Sequence, residues 1–276
     1  VTLTGDDRHS FLHNMCTNEI KNLKPGQACE AFCTDVKGKI VAHVFVMITT
    51  DETFLVTVPD QAEKLIGHLD RYIIREDVEL ADETASKDIA FIAGEKSEAV
   101  IESAGTYLLS VHIPRTKGQA ILAIAPKTAR LREKLANATA CGLAAWNSYR
   151  LEAGLPFYDV DFNEDHLPQE IARDAQAINF NKGCYLGQET IARLDALGHV
   201  NKQLVTVEFP ADSEPQPNIT LTQVEKQVGA ATSVAWSPVL GAPIGIAMIR
   251  RGANDVGTQL DSEVGQVEVI ATPVVG

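Results

Sequence analysis

No run of about 18 apolar residues occurs in the 276 residues of the chain, so no segment is long enough to cross a bilayer as a helix. Basic charge is short. Lys and Arg number 24 against 37 Asp and Glu, a formal net charge of -13. Such a surface repels phosphate backbones and anionic lipid, which argues against direct nucleic-acid or membrane partners. Cysteine is sparse, scattered and odd in number: Cys16, Cys29, Cys33, Cys141 and Cys184. That set does not read as a disulfide framework, and a reducing compartment is expected. The amino terminus, VTLTGDDRHSF, lacks the basic start and apolar stretch of a secretory signal. It also lacks methionine, so a trimmed chain is expected. G-x-x-x-x-G-K-[ST], G-x-G-x-x-G, G-x-S-x-G and H-E-x-x-H are missing, which removes the simplest nucleotide-binding, serine hydrolase and zincin readings.

What is present reads as an ordinary globular chain, 45% hydrophobic and 22% charged, of a length that suits two or three domains. GDDRHSFLHNM predicts a helix with Phe11, Leu12 and Met15 on one face. Residues 28–58 predict strands, with a hairpin around Lys37-Gly38-Lys39. Residues 60–76 carry helical spacing at Leu65, Ile66, Leu69 and Ile73. A second strand-and-helix block follows in DIAFIAGE, EAVIESAG, LLSVHI and QAILAIAP, then KTARLREKLANA as an amphipathic helix. GLAAWNSYRLEAG predicts a helix ending at Gly154 and Pro156. PADSEPQPNIT, 210–220, holds three prolines and reads as a linker or long loop; beyond it the chain is β-rich, as in a small barrel. Strands and helices cluster without a regular βαβ repeat, so the fold class is α+β.

Several constellations could carry chemistry. His9, His13 and Cys16 fall near one helix face, but no fourth ligand is evident and they read as helix residues beside the apolar stripe. Cys29 and Cys33 share a strand face yet lie about 13 Å apart along it, which suits two small buried hydrophobes rather than a metal. Asp159, Asp161, Asn163, Asp165 and Glu170 match a calcium-loop spacing, but Glu164 stands where the loop needs glycine and Pro168 interrupts it, so a solvated acidic loop is expected. The stretch AINFNKGCYLGQETIARLDALGH is the sharpest. AINF predicts a short strand, and Asn181 to Gly187 a turn whose glycines, Gly183 and Gly187, allow close backbone approach. A helix follows with Ile191, Leu194 and Leu197 on one face and Glu189 paired with Arg193. Cys184 thus precedes a helix N-terminus, with Lys182 two residues away; both favour thiolate. A reactive thiol and a side chain filling a gap under the turn stay open as alternatives.

KGCYLGQETIAR, 182–193, resembles the K-G-C-[FY]-x-G-Q-E-x-x-x-R motif of the YgfZ family, folate-binding proteins that help iron-sulfur enzymes acquire or keep their clusters. That family is related to the T-protein (aminomethyltransferase) of the glycine cleavage system. RLEAGLP (150–156), LPQE (167–170), GDDRHSFLHNMCTNEIKNLKPGQ and SPVLGAPIGIAMIRRG resemble further segments of the same architecture, so the resemblance covers nearly the whole chain.

The resemblance implies a three-domain, T-protein-like ring with a central folate-binding hole: residues 1–47 and 142–205 as a discontinuous folate-binding domain, 48–141 as a second α+β domain, and 206–276 as a C-terminal β-barrel. It implies tetrahydrofolate or a derivative as cofactor, with Glu152 on the pterin ring and Arg150, Gly183, Tyr185, Gly187, Gln188, Glu189 and Arg193 around it. Cys184 would be the functional thiol, tuned by Lys182, and a transient cluster ligand; no resident metal is expected. T-proteins carry paired aspartates where this chain has Ala42-His43, and they lack the KGC cysteine. Both differences imply an accessory protein for iron-sulfur enzymes, including tRNA-modifying ones, rather than a conventional enzyme. The alternative is a folate-dependent one-carbon transferase using other residues, His43 among them. The expected partners are folate and, transiently, iron-sulfur enzymes. A monomer in the cytoplasm, or in the mitochondrial matrix of a eukaryote, is expected.

Overall fold

A computed structural model describes residues 1–105, 109–113 (backbone) and 120–274. Leu108 and Gln119, at the ends of two expected strands, and the last two residues of the β-rich C-terminal stretch lie outside these. In chain order the elements are β1 (Thr2–Thr4), α1 (Arg8–Met15), β2 (Ala28–Thr34), β3 (Ile40–Ile48), β4 (Thr53–Val56), α2 (Ala62–Leu69), β5 (Glu79–Ala81), β6 (Lys87–Ala93), α3 (Ser97–Ala104), β7 (Leu109–Ile113), β8 (Ala120–Pro126) and α4 (Leu131–Lys134). Then come α5 (Leu143–Glu152), α6 (Asp174–Ala177), α7 (Gln188–Leu197), β9 (Lys202–Glu208), β10 (Ile219–Gln223), β11 (Lys226–Ser237), β12 (Ala242–Arg250), β13 (Gln259–Ser262) and β14 (Gly265–Ile270). They divide into two compact units: Val1–Thr139 with Arg173–Ala192, and Ala140–Ala172 with Arg193–Gly276.

The first unit holds two sheets. One has five antiparallel strands in the order β2-β3-β4-β1-β5, the other three in the order β6-β8-β7. The hairpin read at Lys37-Gly38-Lys39 is the β2–β3 connection, with Ala31 opposite Val44. Phe11, Leu12 and Met15 of α1 and Leu65 and Leu69 of α2 are buried with the apolar side chains of β2 and β3. Each such side chain contributes about 1.5–3 kcal/mol by leaving water. The second sheet buries Ile121 and Ala123 of β8 against Ile101 of α3 and Leu131.

Three helix and strand expectations are corrected. The helix expected over 60–76 stops at Leu69 and tightens into a 3-10 turn over Asp70–Tyr72; the β-branched pair Ile73-Ile74 favours extended backbone, and Ile73 has it. KTARLREKLANA is split because Arg130 takes a left-handed conformation, φ 53°, leaving a 3-10 turn and the single turn of α4. AINF is not a strand: Ala177 ends α6, and the Asn179 N–H bonds to the Thr17 carbonyl at 3.0 Å rather than entering a ladder.

The second unit is a closed barrel in the order β10-β11-β12-β9-β14-β13, with α5 lying against β11 and β12. Val207, Leu221, Ala231, Ile249 and Val267 fill it. Because β9 pairs with both β12 and β14, the proline-rich stretch 210–220 is the connection from β9 to β10, its last two residues opening β10, rather than a linker ahead of the barrel. The sequence pattern could not separate the two, since a single strand before a loop carries no sign of its partners.

Candidate functional site

The KGC segment is built onto the end of α1 and the tip of the β2–β3 hairpin. Its backbone is held by the Leu186 N–H on the Asn14 carbonyl at 2.8 Å and by the Thr34 hydroxyl on the Leu186 carbonyl at 2.6 Å. Gly187 has φ 80°, and a Cβ there would stand 2.4 Å from the Asp35 carbonyl oxygen and 2.7 Å from Gly38 Cα. The motif glycine and the hairpin glycine therefore meet where no side chain fits. Gly183 differs from its expectation: a Cβ there meets nothing within 4 Å.

Lys182 is buried, and its ammonium donates to the carbonyls of His13, of Cys16 at 2.7 Å and of Asn18 at 2.8 Å. These carbonyls sit at and just beyond the C-terminal end of α1, where backbone oxygens are left without helical partners and a cation is favoured. The Tyr185 ring lies 4.9 Å beneath the same nitrogen. Burial lowers the Lys182 pKa to about 8. Lys182 was expected to tune Cys184; the structure instead directs its charge to three carbonyls, which makes it the anchor of the loop. Between the buried Lys182 and Tyr185, Cys184 is exposed. Exposure removes the gap-filling alternative and leaves a thiol able to meet a reagent, a soft metal or a partner.

The other cysteines split unexpectedly. Cys16 and Cys33 are fully buried, with sulfurs 3.3 Å apart. Cys29 is partly buried, and burial foremost pushes its thiol up to about 12. Cys141 is exposed; it precedes α5, ahead of the first residue the helix buries. His13 lies 3.2 Å from Glu19, and among the described residues no group of three or more His, Cys, Asp or Glu is arranged to hold a metal.

Beneath β2 and β3 lies a charged cluster. Arg173 donates Nε and Nη2 to the two oxygens of Glu30, and His43 Nε2 lies 2.7 Å from Glu30 Oε1. All three are buried. Burial pushes the Glu30 carboxyl up, but the bonds from Arg173 and His43 outweigh it and hold it at about 2. Phe32 stacks on the His43 ring at 5.0 Å. The pair ties Arg173, at the head of the segment that carries Cys184, to β2.

In the second unit, Arg150 and Glu152 sit at the end of α5. Arg150 Nη1 bonds Asp161 at 2.8 Å and Nη2 bonds the Ser233 hydroxyl at 2.7 Å. Asp161 also accepts from the Phe157 N–H, the Thr232 hydroxyl and the Ser233 hydroxyl. The expected solvated acidic loop is corrected here: Asp161 and Glu170 are buried, since one compensates Arg150 and the other caps the Leu167 N–H at 3.0 Å. Glu152 is buried, and its Oε1 accepts from the Ser237 hydroxyl at 2.7 Å and the Val239 N–H at 3.2 Å.

Residues 1–112 match the GCVT N-terminal domain and residues 202–275 the glycine cleavage T-protein C-terminal barrel domain. The tRNA-modifying protein YgfZ of Aliivibrio fischeri is 26% identical, covering 83% of this chain and 73% of its own. The chain is a YgfZ-like protein related to the glycine cleavage T-protein. A chloroplastic protein of Arabidopsis thaliana named as a transferase is 29% identical over 93% of this chain, which spans 64% of that protein's length. The crystal structure of aminomethyltransferase T from Bartonella henselae superposes with a TM-score of 0.87, covering 99% of this chain and 83% of its own at 19% identity. The fold is accordingly that of a T-protein, α+β with a closed six-stranded C-terminal barrel.

For this YgfZ-like chain the predicted site residues fall in two groups. Lys182, Gly183, Cys184, Tyr185, Gly187, Gln188 and Glu189 belong to the first unit, Arg150, Glu152 and Arg193 to the second. Glu189 and Arg193 are both exposed. Sequence reasoning missed Glu30, Arg173, Ser233 and Ser237, and read Asp161 only as part of a solvated acidic loop. Glu30 meets Arg173 across 143 positions, a separation at which no local spacing signals a pair. Asp161 left one clue: it sits between Tyr158 and Phe162, both buried, where a charge needs a partner.

Proposed function

We propose that the protein is a tetrahydrofolate-binding accessory factor for iron-sulfur enzymes, including tRNA-modifying ones, and that Cys184 is its working thiol. The exposure of Cys184 on a loop clamped by Lys182, Thr34 and Gly187 carries this reading. A buried cation and a glycine contact that serve a mere surface turn would be an unusual investment of structure; holding a thiol in fixed presentation gives them a purpose. Glu152 would accept from the pterin, its carboxylate held in place by Ser237 and Val239. Folate supplies a one-carbon carrier when bound; the residues of this chain bind and orient it. The charge of -13 favours action on RNA through a partner enzyme rather than by direct contact. The free thiols agree with work in the cytoplasm or another reducing compartment.

A folate-dependent one-carbon transferase is the second reading, favoured by the transferase name of the Arabidopsis relative. His43, where T-proteins keep an acid, has one ring nitrogen committed to Glu30. Calorimetric titration with tetrahydrofolate tests the binding. Glu152→Ala should stay folded and lose about 1.5–3 kcal/mol of affinity, as for a hydrogen bond to a charged group; unchanged affinity removes Glu152 from the site. Folate-dependent ammonia release from an aminomethyl donor would replace the accessory reading with the transferase one.

A further inference from the structure

We propose that Cys16 and Cys33 are a redox-modification site: a buried dithiol that peroxide closes to a disulfide, stapling the end of α1 to β2 beneath the Cys184 loop. Cys16 and Cys33 face each other across an isolated antiparallel bridge. The Thr17 N–H bonds the Phe32 carbonyl at 2.9 Å, so the two cysteines form the pair that lies between backbone hydrogen bonds, the narrow position of an antiparallel ladder. There the Cα atoms stand about 4.5 Å apart and the side chains are closest, inside the range that disulfides span. The sulfurs, 3.3 Å apart, close to about 2.0 Å on bonding.

No other cysteine competes. Cys29 acts on Cys16 through space but is four residues from Cys33 along β2, about 13 Å away on an extended strand, while Cys141 and Cys184 are exposed. The oxidant is a hydrogen peroxide molecule. One sulfur attacks a peroxide oxygen; the O–O bond breaks, and the departing hydroxide leaves as water with the thiol proton. The resulting sulfenic sulfur is attacked by the second sulfur; S–S forms, S–O breaks, and a second water leaves with the second proton. Two thiols are oxidised, and one peroxide is reduced to two waters.

The hydrogen bond to Cys33 and burial both push the Cys16 thiol up, so Cys16 rests protonated and reacts slowly. It therefore registers sustained rather than passing peroxide. The consequence reaches the loop through Lys182, one of whose three acceptors is the Cys16 carbonyl. Drawing Cys16 toward β2 moves that acceptor and with it the anchor of Cys184.

The test is peptide mass spectrometry on the native protein after prolonged hydrogen peroxide and blocking of free thiols, before and after dithiothreitol. The expected result is a reductant-sensitive Cys16–Cys33 cross-link lacking two hydrogens, formed more slowly than Cys184 is oxidised. A Cys184→Ala chain should still form it, and its Cys33→Ala counterpart should not. Peroxide that oxidises Cys184 while leaving Cys16 and Cys33 as free thiols overturns the proposal, as does a cross-link to any other cysteine. In the Cys184→Ala chain the hydrogen-exchange rate of the Leu186 amide, bonded to the Asn14 carbonyl, should change at least twofold once the cross-link is made; an equal rate overturns the coupling to the loop.

Discussion

Around Lys182 the protein keeps two kinds of thiol. Cys184 stands two residues from the lysine in sequence and is exposed; Cys16 lies 166 positions away, fully buried, with its carbonyl bonded to the ammonium. The neighbour in sequence receives presentation, and the distant residue receives the charge. A cation beside a cysteine in a motif invites the reading that it lowers the thiol pKa. Here desolvation argues for a different use, because a buried ammonium needs acceptors, and the end of α1 offers three.

The largest break in this arrangement comes from Glu30. Glu30→Gln leaves the Arg173 guanidinium buried without its counter-charge, and unfolding in urea should show a loss of about 3–5 kcal/mol. A loss under about 1 kcal/mol would mean that the pair does not hold the Cys184 segment to β2. The same pair sets the acid limb of stability. Because Glu30 is held at about 2 against an ordinary 4.5, its contribution is complete above pH 4.5 and is lost as the pH falls toward 2. Glu30→Gln should flatten that limb.

Lys182→Met comes next. It removes the donor shared by three carbonyls and should destabilise by about 1–3 kcal/mol. With the anchor gone, Cys16 and Cys33 should become open to alkylation while Cys184, already exposed, gains little. The wild-type order of labelling should place Cys184 and Cys141 ahead of Cys29, and Cys16 and Cys33 last. Lys182 titrates at about 8 rather than 10.5, so the unfolded chain holds the extra proton between those values. The lysine's contribution should therefore make stability rise with pH across that window, and Lys182→Met should abolish the rise.

Much of this was legible in the sequence where structure is local. The α1 stripe of Phe11, Leu12 and Met15, the β2–β3 hairpin at Gly38 and the α5 stop at Gly154 follow from periodicity and turn chemistry. The Gly187 contact was half legible: the glycine announced a close approach but not that Gly38 would be its neighbour. The ends of helices were less so, since Arg130 in a left-handed turn and the stop after Leu69 reflect competition that spacing alone does not express. What could not be read was the pairing of charges. Lys182 with the α1 carbonyls, Arg173 with Glu30 and Arg150 with Asp161 join residues by burial, and each charged side chain looks like an ordinary surface charge until the fold places its partner.

The central claim is that Cys184 works as a presented thiol and not as part of the core. It is tested most directly by returning Cys184→Ala to cells that lack the protein and assaying an iron-sulfur tRNA-thiolating enzyme, with unfolding stability measured in parallel. The account predicts stability within about 0.5 kcal/mol of wild type, as for an exposed side chain, together with failure to restore the enzyme. Full restoration by the alanine variant, at wild-type stability, would contradict it.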